Sequence, residues 1–239
     1  MDIKTAHDDD TAIDVSKLTS DLSHEMRTVL GGVIGINELL LTSQLDPHQR
    51  TLAQVLEQST RILLAALDDT VTLSRLMQNN LKIDSAPFDI RAVIAETTDH
   101  LGFLMEGKGI VLSLKIDAMP QLVLADRARV KQIIHALILR LVNVLEKTTV
   151  EIAASFSNTK ANAGEFHFSI SGGPIGQFDE QHLSTLTEPI RPGRRYESSW
   201  LALYLCYRLT TLMNGACGSV LESKHCKLWI TLPMQMPST

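Results

Sequence analysis

The sequence predicts an α+β protein in which a long antiparallel helical hairpin precedes a mixed α/β domain. Apolar residues recur every three or four positions from Val15 to Met77, which is the pattern of amphipathic helices. Beyond Asn80, short alternating runs are interspersed with helical stretches. The 239 residues are 44% hydrophobic and 21% charged, so the chain can bury a core and differs from a disordered one.

The first predicted helix runs from Val15 to Leu40. Steps of three and four residues separate its apolar positions, which are Val15, Leu18, Leu22, Met26, Val29, Val33, Ile36 and Leu40. A loop over residues 42–47 follows, and Pro47 suits the first turn of the next helix. The pattern resumes up to Met77, so a second long helix is expected to run back along the first.

Each helix of this hairpin carries an apolar stripe that is broader than its partner helix can cover. Two hairpins that pair as a four-helix bundle would cover both stripes, so we expect a homodimer. A heterodimer with a related chain would fit the same stripes. The hairpin domain is predicted to span residues 15–81, after a flexible acidic tail at residues 1–14.

The remaining domain, residues 82–236, is predicted to combine strands and helices. Helices are expected at residues 90–104, 127–145 and 200–213. Strands are expected at residues 112–116, 122–124, 149–156 and 166–170, with a closing hairpin formed by residues 218–221 and 227–232.

Composition excludes several classes of function. The chain has 22 Lys and Arg against 27 Asp and Glu, a net charge of −5, so we expect no nucleic-acid partner. No apolar run reaches the roughly 20 residues of a membrane span, and the N-terminus lacks a signal-peptide pattern, so a cytoplasmic protein is expected. The three cysteines are odd in number and lack CxxC spacing, which predicts reduced packing residues and no metal site.

His24 is the candidate functional residue of the hairpin. On a helix of about 100° per residue it lies roughly 200° from the centre of the apolar stripe, so it points to solvent. Glu25 could accept the ring proton that an imidazole nucleophile must lose. Thr28, Gly31 and Gly35 continue the same face, where the glycines leave room for another backbone. The alternative is that His24 is a surface histidine without a function and that the glycines lie on a solvent-exposed face where nothing selects against them.

These residues resemble a known family. The run Ser23-His24-Glu25-Met26-Arg27-Thr28 looks like the H-box of bacterial sensor histidine kinases, which usually continues with proline where this chain has Val29. Two later runs, Pro87-Phe88-Asp89-Ile90 and Ala125-Asp126-Arg127, are similar to the start of their ATP-binding domain. The resemblance implies that the second domain is a histidine-kinase-type ATPase α/β sandwich.

The same resemblance implies roles for the residues of the first helix. His24 would be the phosphoacceptor, with Glu25 as its acid/base neighbour. Thr28 would occupy the position that helps to dephosphorylate a response regulator. A face made by Arg27, Thr28, Gly31 and Gly35 would bind the partner.

The resemblance fails where the nucleotide chemistry would lie. Arg140 stands in place of the asparagine that ligates Mg²⁺ in the family, and arginine has no acceptor atom to offer a metal. Asn143 lies three residues further, in a position usually held by lysine. Ser171 or Gly172 replaces the aspartate that binds adenine. These four residues predict a degenerate nucleotide site.

The phosphate-binding approach is also altered, because Glu197 and Trp200 stand where the family has a glycine-rich helix entry. We therefore expect no ATP binding and no bound cofactor. Any Mg²⁺ for phosphoryl transfer would be supplied by a partner receiver domain.

The sequence thus predicts a histidine phosphotransfer protein of a two-component phosphorelay, similar to the ChpT-type phosphotransferases. His24 would exchange phosphoryl groups with response-regulator receiver domains, and a sensor histidine kinase is a further candidate partner. One alternative is a catalytically inactive pseudo-histidine kinase that regulates a partner by binding. Another is a response-regulator phosphatase that uses Thr28.

Overall fold

The computed structural model describes residues 15–160, 162–175 and 198–237. The predicted acidic tail lies outside these residues. The chain divides into two compact units, and the boundary between them falls between Asn80 and Leu81. Each unit is described here by itself.

The first unit is a helical hairpin made of α1 (Val15–Thr42) and α2 (Pro47–Met77). Asp46 begins α2 with a capping box: its carboxylate accepts from the Gln49 amide at 2.8 Å, and the Gln49 side chain accepts from the Asp46 amide at 3.1 Å. Pro47 occupies the first turn, where its missing N–H has no intrahelical partner to lose. These local signals turn the chain back on itself.

Small polar side chains make much of the contact between α1 and α2. Ser23, Asn37, Thr60 and Thr72 are each at most 5% exposed. The Asn37 amide donates to the Ala53 carbonyl at 2.9 Å, which links the two helices. Val71 and Leu76 of α2 are buried as well, but many large apolar side chains of the hairpin remain exposed: Leu22, Met26, Val29, Ile36, Leu39, Leu40, Leu52, Val55, Leu56, Ile62, Leu63 and Met77.

The described part of the second unit contains three helices and seven strands. The helices are α3 (Ile90–Gly107), α4 (Arg127–Val144) and α5 (Ser198–Leu212). The strands are β1 (Ala86–Phe88), β2 (Val111–Ile116), β3 (Val123–Ala125), β4 (Thr149–Lys160), β5 (Ala163–Gly172), β6 (Ala216–Glu222) and β7 (His225–Gln235).

The strands form one mixed sheet in the order β1-β3-β7-β5-β4-β2, and β6 pairs with β7. β2 runs parallel to β4, whereas the other described pairs are antiparallel. Burial alternates along β5, so that Phe166, Phe168 and Ile170 face the core while their neighbours are only partly covered. The predicted α+β fold class, a helical hairpin followed by a mixed-sheet sandwich, is confirmed.

Two aspartates of the family-like runs begin helices. Asp89 accepts from the amide of Arg91 at 2.8 Å at the start of α3. Asp126, which is 6% exposed, accepts from the amides of Arg129 and Asp84 at 3.1 and 3.0 Å, respectively. Asp126 therefore begins α4 and also holds the segment that leads into β1.

None of the described helices combines the length and the apolar character that a membrane span requires.

Candidate functional site

Three faces of α1 differ in burial and in polarity. Ser23 and Asn37, two heptads apart, are buried against α2. The exposed apolar stripe, with Leu22 50% and Ile36 72% exposed, lies on one side of that buried face. His24 follows Ser23 by one residue, about 100° around the helix, and is therefore on the other side. Its ring is exposed to solvent.

A side-chain hydrogen bond to the His24 backbone spans the helical turn that follows His24. The Thr28 hydroxyl donates to the His24 carbonyl at 3.0 Å, so this hydroxyl points back along α1. Glu25 is exposed beside the histidine. A carboxylate next to an exposed imidazole can accept the proton of one ring nitrogen while the other acts as a nucleophile.

The surface beyond Thr28 is open. A Cβ atom built on Gly31 or Gly35 would meet no other heavy atom within 4 Å. We call the surface formed by His24, Thr28, Gly31 and Gly35 the His24 face. Because its lower part carries no side chains, another protein could approach the α1 backbone closely there.

Arg27 joins the His24 face to α2. Its guanidinium Nη2 lies 2.5 Å from Oδ1 of Asp68, and both side chains are about half exposed. Arg27 was predicted as a partner-binding residue, but the sequence gives no signal for Asp68, because 41 positions separate the two residues. Only the pairing of α1 with α2 brings them together.

The four residues predicted to form a degenerate nucleotide site lie on α4 and at the end of β5. Arg140 is 6% exposed on α4, whereas Asn143 is exposed and its carbonyl accepts from Lys108 Nζ at 2.9 Å. Gly172, at the end of β5, is buried, and a Cβ there would fall 2.7 Å from a methyl group of Leu145 on the segment after α4. Ser171, its neighbour, is partly buried.

Cys226 on β7 connects Arg140 with the end of β5. Gly172 pairs with Cys226 across the sheet. Burial raises the pKa of the Cys226 thiol to about 11, and the charge of nearby Arg140 opposes that rise. The positive charge of Arg140 therefore acts on Cys226, the cross-strand partner of Gly172, near which the resemblance would require an adenine-binding aspartate.

Arg140 itself offers no ligand to the magnesium ion of a bound nucleotide. Mg²⁺ requires oxygen ligands, and a guanidinium supplies none. Within residues 15–160, 162–175 and 198–237, no three His, Cys, Asp or Glu side chains cluster in a way that could hold a metal ion. That ATP does not bind is a prediction from these substitutions alone, and labelling of the chain from ATP tests it. Glu197 lies outside the described residues.

Comparison with known proteins identifies the hairpin. Residues 14–79 match the family HisKA, the His Kinase A (phospho-acceptor) domain. His24 lies within this matched segment. The HisKA match therefore covers α1 and α2 and ends at the boundary with the second unit.

Known full-length relatives match both units. The signal transduction histidine-protein kinase BarA of Escherichia coli (strain K12) is 31% identical over 209 residues, covering 84% of this chain and 22% of BarA. The sensor histidine kinase GacS of Pseudomonas protegens is 26% identical over 231 residues, covering 94% of this chain and 25% of GacS. The chain thus spans a quarter or less of the length of these two relatives.

A solved structure shares the fold. The crystal structure of full-length ShkA in complex with AMPPNP superimposes with a TM-score of 0.61 at 24% identity, covering 94% of this chain and 47% of ShkA. The HisKA match and the similarity to BarA relate the chain to the phosphotransfer proteins of two-component signalling. More narrowly, the relatives are sensor histidine kinases, and the chain resembles their core.

The comparisons correct the function predicted from the sequence. A histidine phosphotransfer protein independent of ATP was expected, with a pseudokinase or a phosphatase as alternatives. That prediction was wrong, because the similarity to BarA and GacS runs through both units and a HisKA hairpin precedes a kinase-like domain. Neither alternative finds support. Individual substitutions in the second domain are a weaker indicator of function than similarity along the whole chain.

Proposed function

We propose that this chain is the core of a two-component sensor histidine kinase in which His24 takes up a phosphoryl group and passes it to a receiver aspartate. One observation carries the proposal: His24 is exposed on a HisKA hairpin, on a different side of α1 from both the contact with α2 and the apolar stripe. A phosphoacceptor must meet both a donor and a receiver, so it has to lie on an accessible face.

The chemistry assigned to α1 needs few groups. A ring nitrogen of His24 forms the new bond to phosphorus while the bond from phosphorus to the donor oxygen breaks. Glu25 holds the proton on the other ring nitrogen and so favours the ring orientation required for attack. In the onward step the receiver carboxylate attacks phosphorus, and the bond to the His24 nitrogen breaks. The receiver supplies the Mg²⁺ for that step.

The His24 face provides the docking surface for the receiver. Gly31 and Gly35 allow a helix or loop of the receiver to lie close to α1, below the histidine. Arg27 borders this surface with a charge that Asp68 already balances. Docking there would therefore depend on shape more than on net charge.

The exposed apolar stripe supports a dimer. Val29 and Ile36 are 68% and 72% exposed in the single hairpin. A second hairpin that covered the stripe would bury these side chains at a gain of about 25 cal/mol per Å² of apolar area. Because the stripe and the His24 face lie on different sides of α1, both copies of His24 would remain accessible.

The test is phosphorylation of His24. The purified chain is incubated with labelled ATP and Mg²⁺, then with a receiver domain, and acid-labile label is measured for the wild type, His24→Ala and His48→Ala. His48 is the matched control, because it is an exposed histidine on the same hairpin. We expect label on the wild type and His48→Ala, none on His24→Ala, and transfer of the label to the receiver.

Two results would contradict the proposal. Equal labelling of His24→Ala and the wild type would show that His24 is not the phosphoacceptor. Label that reaches His24 only from a phosphorylated receiver, and never from ATP, would overturn the assignment as a kinase core. Circular dichroism of the variants shows whether the hairpin is intact; we expect no change, since both histidine side chains are exposed.

A further inference from the structure

The end of α5 and the start of β6 are held side by side by a tight turn. Asn214 adopts a left-handed backbone with φ of 59° just after the helix. The Gly215 amide then donates to the Thr210 carbonyl at 2.9 Å. A Cβ on Gly215 would collide with the Thr231 carbonyl of β7, so the turn lies tightly against the sheet. β6 therefore begins next to the last turns of α5.

This turn brings two cysteines into contact. Cys206 on α5 is 1% exposed, and Cys217 on β6 is partly exposed. Cys217 pairs across the sheet with the buried Ile230, so its side chain lies on the covered face of the sheet, where the Cys206 thiol lowers its pKa by donating a hydrogen bond. Both are free thiols. Neither residue belongs to the phosphoacceptor hairpin, which ends before Asn80.

We propose that Cys206 and Cys217 form an oxidisable dithiol, which a hydroperoxide converts to a disulfide between α5 and β6. The Cys217 thiolate attacks one peroxide oxygen, the O–O bond breaks, and the departing oxygen leaves as an alcohol or as water after taking up a proton. The Cys206 sulfur then attacks the sulfenic acid sulfur of Cys217. The S–O bond breaks, water leaves with the Cys206 proton, and two thiols have been oxidised while one peroxide is reduced.

The order of the two steps follows from exposure. Cys217 is the thiol that an oxidant in solution reaches, whereas Cys206 is buried and can react only with what is already bound to Cys217. The hydrogen bond from Cys206 also lowers the pKa of Cys217, against the opposing effect of burial. Cys226 differs, because burial raises its pKa to about 11 and so keeps it a thiol.

The disulfide would form without large rearrangement. The two cysteines lie on neighbouring elements, and their sulfur atoms must approach to about 2 Å for the bond to form. The ring it closes, residues 206–217, is already compact because of the turn at Gly215. We expect oxidation to tie α5 to the sheet and to raise the thermal midpoint of the second unit.

The test uses the full chain and hydrogen peroxide. Peroxide-treated and untreated wild type are alkylated under denaturing conditions and analysed by intact mass and peptide mapping. We expect the treated protein to retain one alkylatable thiol, Cys226, and to yield a peptide pair linked through Cys206 and Cys217. Reduction by dithiothreitol should restore all three thiols.

The variants separate the two steps. Cys206→Ala should stop at the sulfenic acid, which dimedone traps on Cys217, whereas Cys217→Ala should lose no thiol at the same peroxide exposure. Cys226→Ala is the matched control and should form the same linked pair as the wild type. The proposal is overturned if the wild type keeps all three thiols, if Cys226 reacts first, or if the linked peptides join different chains. Phosphorylation of His24 is not part of the readout, so the outcome is independent of the proposed kinase function.

Discussion

The guanidinium of Arg27, three residues beyond His24 on α1, lies 2.5 Å from the carboxylate of Asp68 on α2. Both partners are about half exposed, so solvent screens the pair and its contribution to stability is small, below about 1 kcal/mol. The pair therefore serves chiefly to fix the Arg27 side chain at the border of the His24 face.

The first prediction concerns this ion pair. In a double-mutant cycle of Arg27→Ala and Asp68→Ala, we expect a coupling free energy below about 1 kcal/mol that decreases as salt is added. Urea unfolding at low and high ionic strength measures it. A coupling above about 2 kcal/mol would show that the pair is more desolvated than the exposed geometry indicates.

The second prediction concerns the glycines of the His24 face. Gly31→Ala and Gly35→Ala should each stabilise the hairpin by up to about 1 kcal/mol, because alanine favours a helix and the new methyl group meets open space. Gly31→Leu should fold equally well but slow transfer from His24 to a receiver, since it fills the docking surface. Thermal unfolding and single-turnover transfer measure the two effects. Unchanged transfer in Gly31→Leu would exclude docking at this face.

The third prediction concerns the apolar stripe. Ile36→Glu places a charge on a side chain that is 72% exposed in the single hairpin, so it should leave the hairpin folded but shift a dimer towards monomer. Val111→Glu on β2 is the matched control, because Val111 is 64% exposed and lies outside the hairpin. Sedimentation velocity distinguishes the species. A dimer that tolerates Ile36→Glu would mean that another surface mediates the association.

The fourth prediction concerns the substituted magnesium position. Arg140→Asn should increase the affinity for a non-hydrolysable ATP analogue with Mg²⁺ by at least about tenfold, or about 1.4 kcal/mol, because it replaces a cation with an oxygen ligand. Calorimetric titration with and without EDTA measures the change. The gain should disappear with EDTA; a gain that persisted would come from the space opened by the smaller side chain and not from metal ligation, because losing the Arg140 charge weakens attraction to the phosphates.

The fifth prediction concerns pH. The hydrogen bond from Lys131, with smaller effects from the charges of Lys131 and Arg127, lowers the pKa of Glu96 below its ordinary value of 4.5. A carboxyl whose pKa is lowered by folding stabilises the protein above its unfolded pKa, and this contribution disappears as the pH falls through the folded value. Glu96→Gln should therefore cost at most about 1 kcal/mol at pH values near 7 and nothing well below pH 4.

The contribution of Glu96 is measured as the midpoint of thermal unfolding of Glu96→Gln and the wild type, from pH values near 7 to values well below 4. Glu106→Gln, also on α3 and exposed, is the control, and its midpoint should follow that of the wild type. A difference between Glu96→Gln and the wild type that persisted at low pH would show a role for Glu96 other than its charge.

Some elements could be predicted because their signals are local. The periodicity of α1 and α2, the capping residue Asp46 and the alternation in β5 each depend on residues a few positions apart. The exposure of His24 followed from the same arithmetic, since it needs only the helix and the direction of its apolar stripe. Its role as phosphoacceptor came from the resemblance of the H-box and stays a prediction.

Other features depend on which elements pack together. The stripe of α1 looked like its contact with α2, yet the described buried side chains of α1 are Ser23 and Asn37, and Leu22, Met26, Val29, Ile36 and Leu40 of the stripe remain exposed. Periodicity locates an apolar face but does not say which neighbour covers it. The pairing of Cys206 with Cys217 likewise required the turn at Gly215, because three cysteines without a motif give no connectivity.

The sequence by itself determined the two-part α+β architecture, the helix boundaries near their caps and the face on which His24 lies, because backbone propensity and side-chain periodicity act over a few residues. Tertiary structure decided which polar side chains are buried in the hairpin, that Arg27 meets Asp68, and that Arg140 is buried with its charge acting on Cys226. These contacts join residues far apart in the chain, and their energies depend on burial and distance, which exist only once the elements have packed.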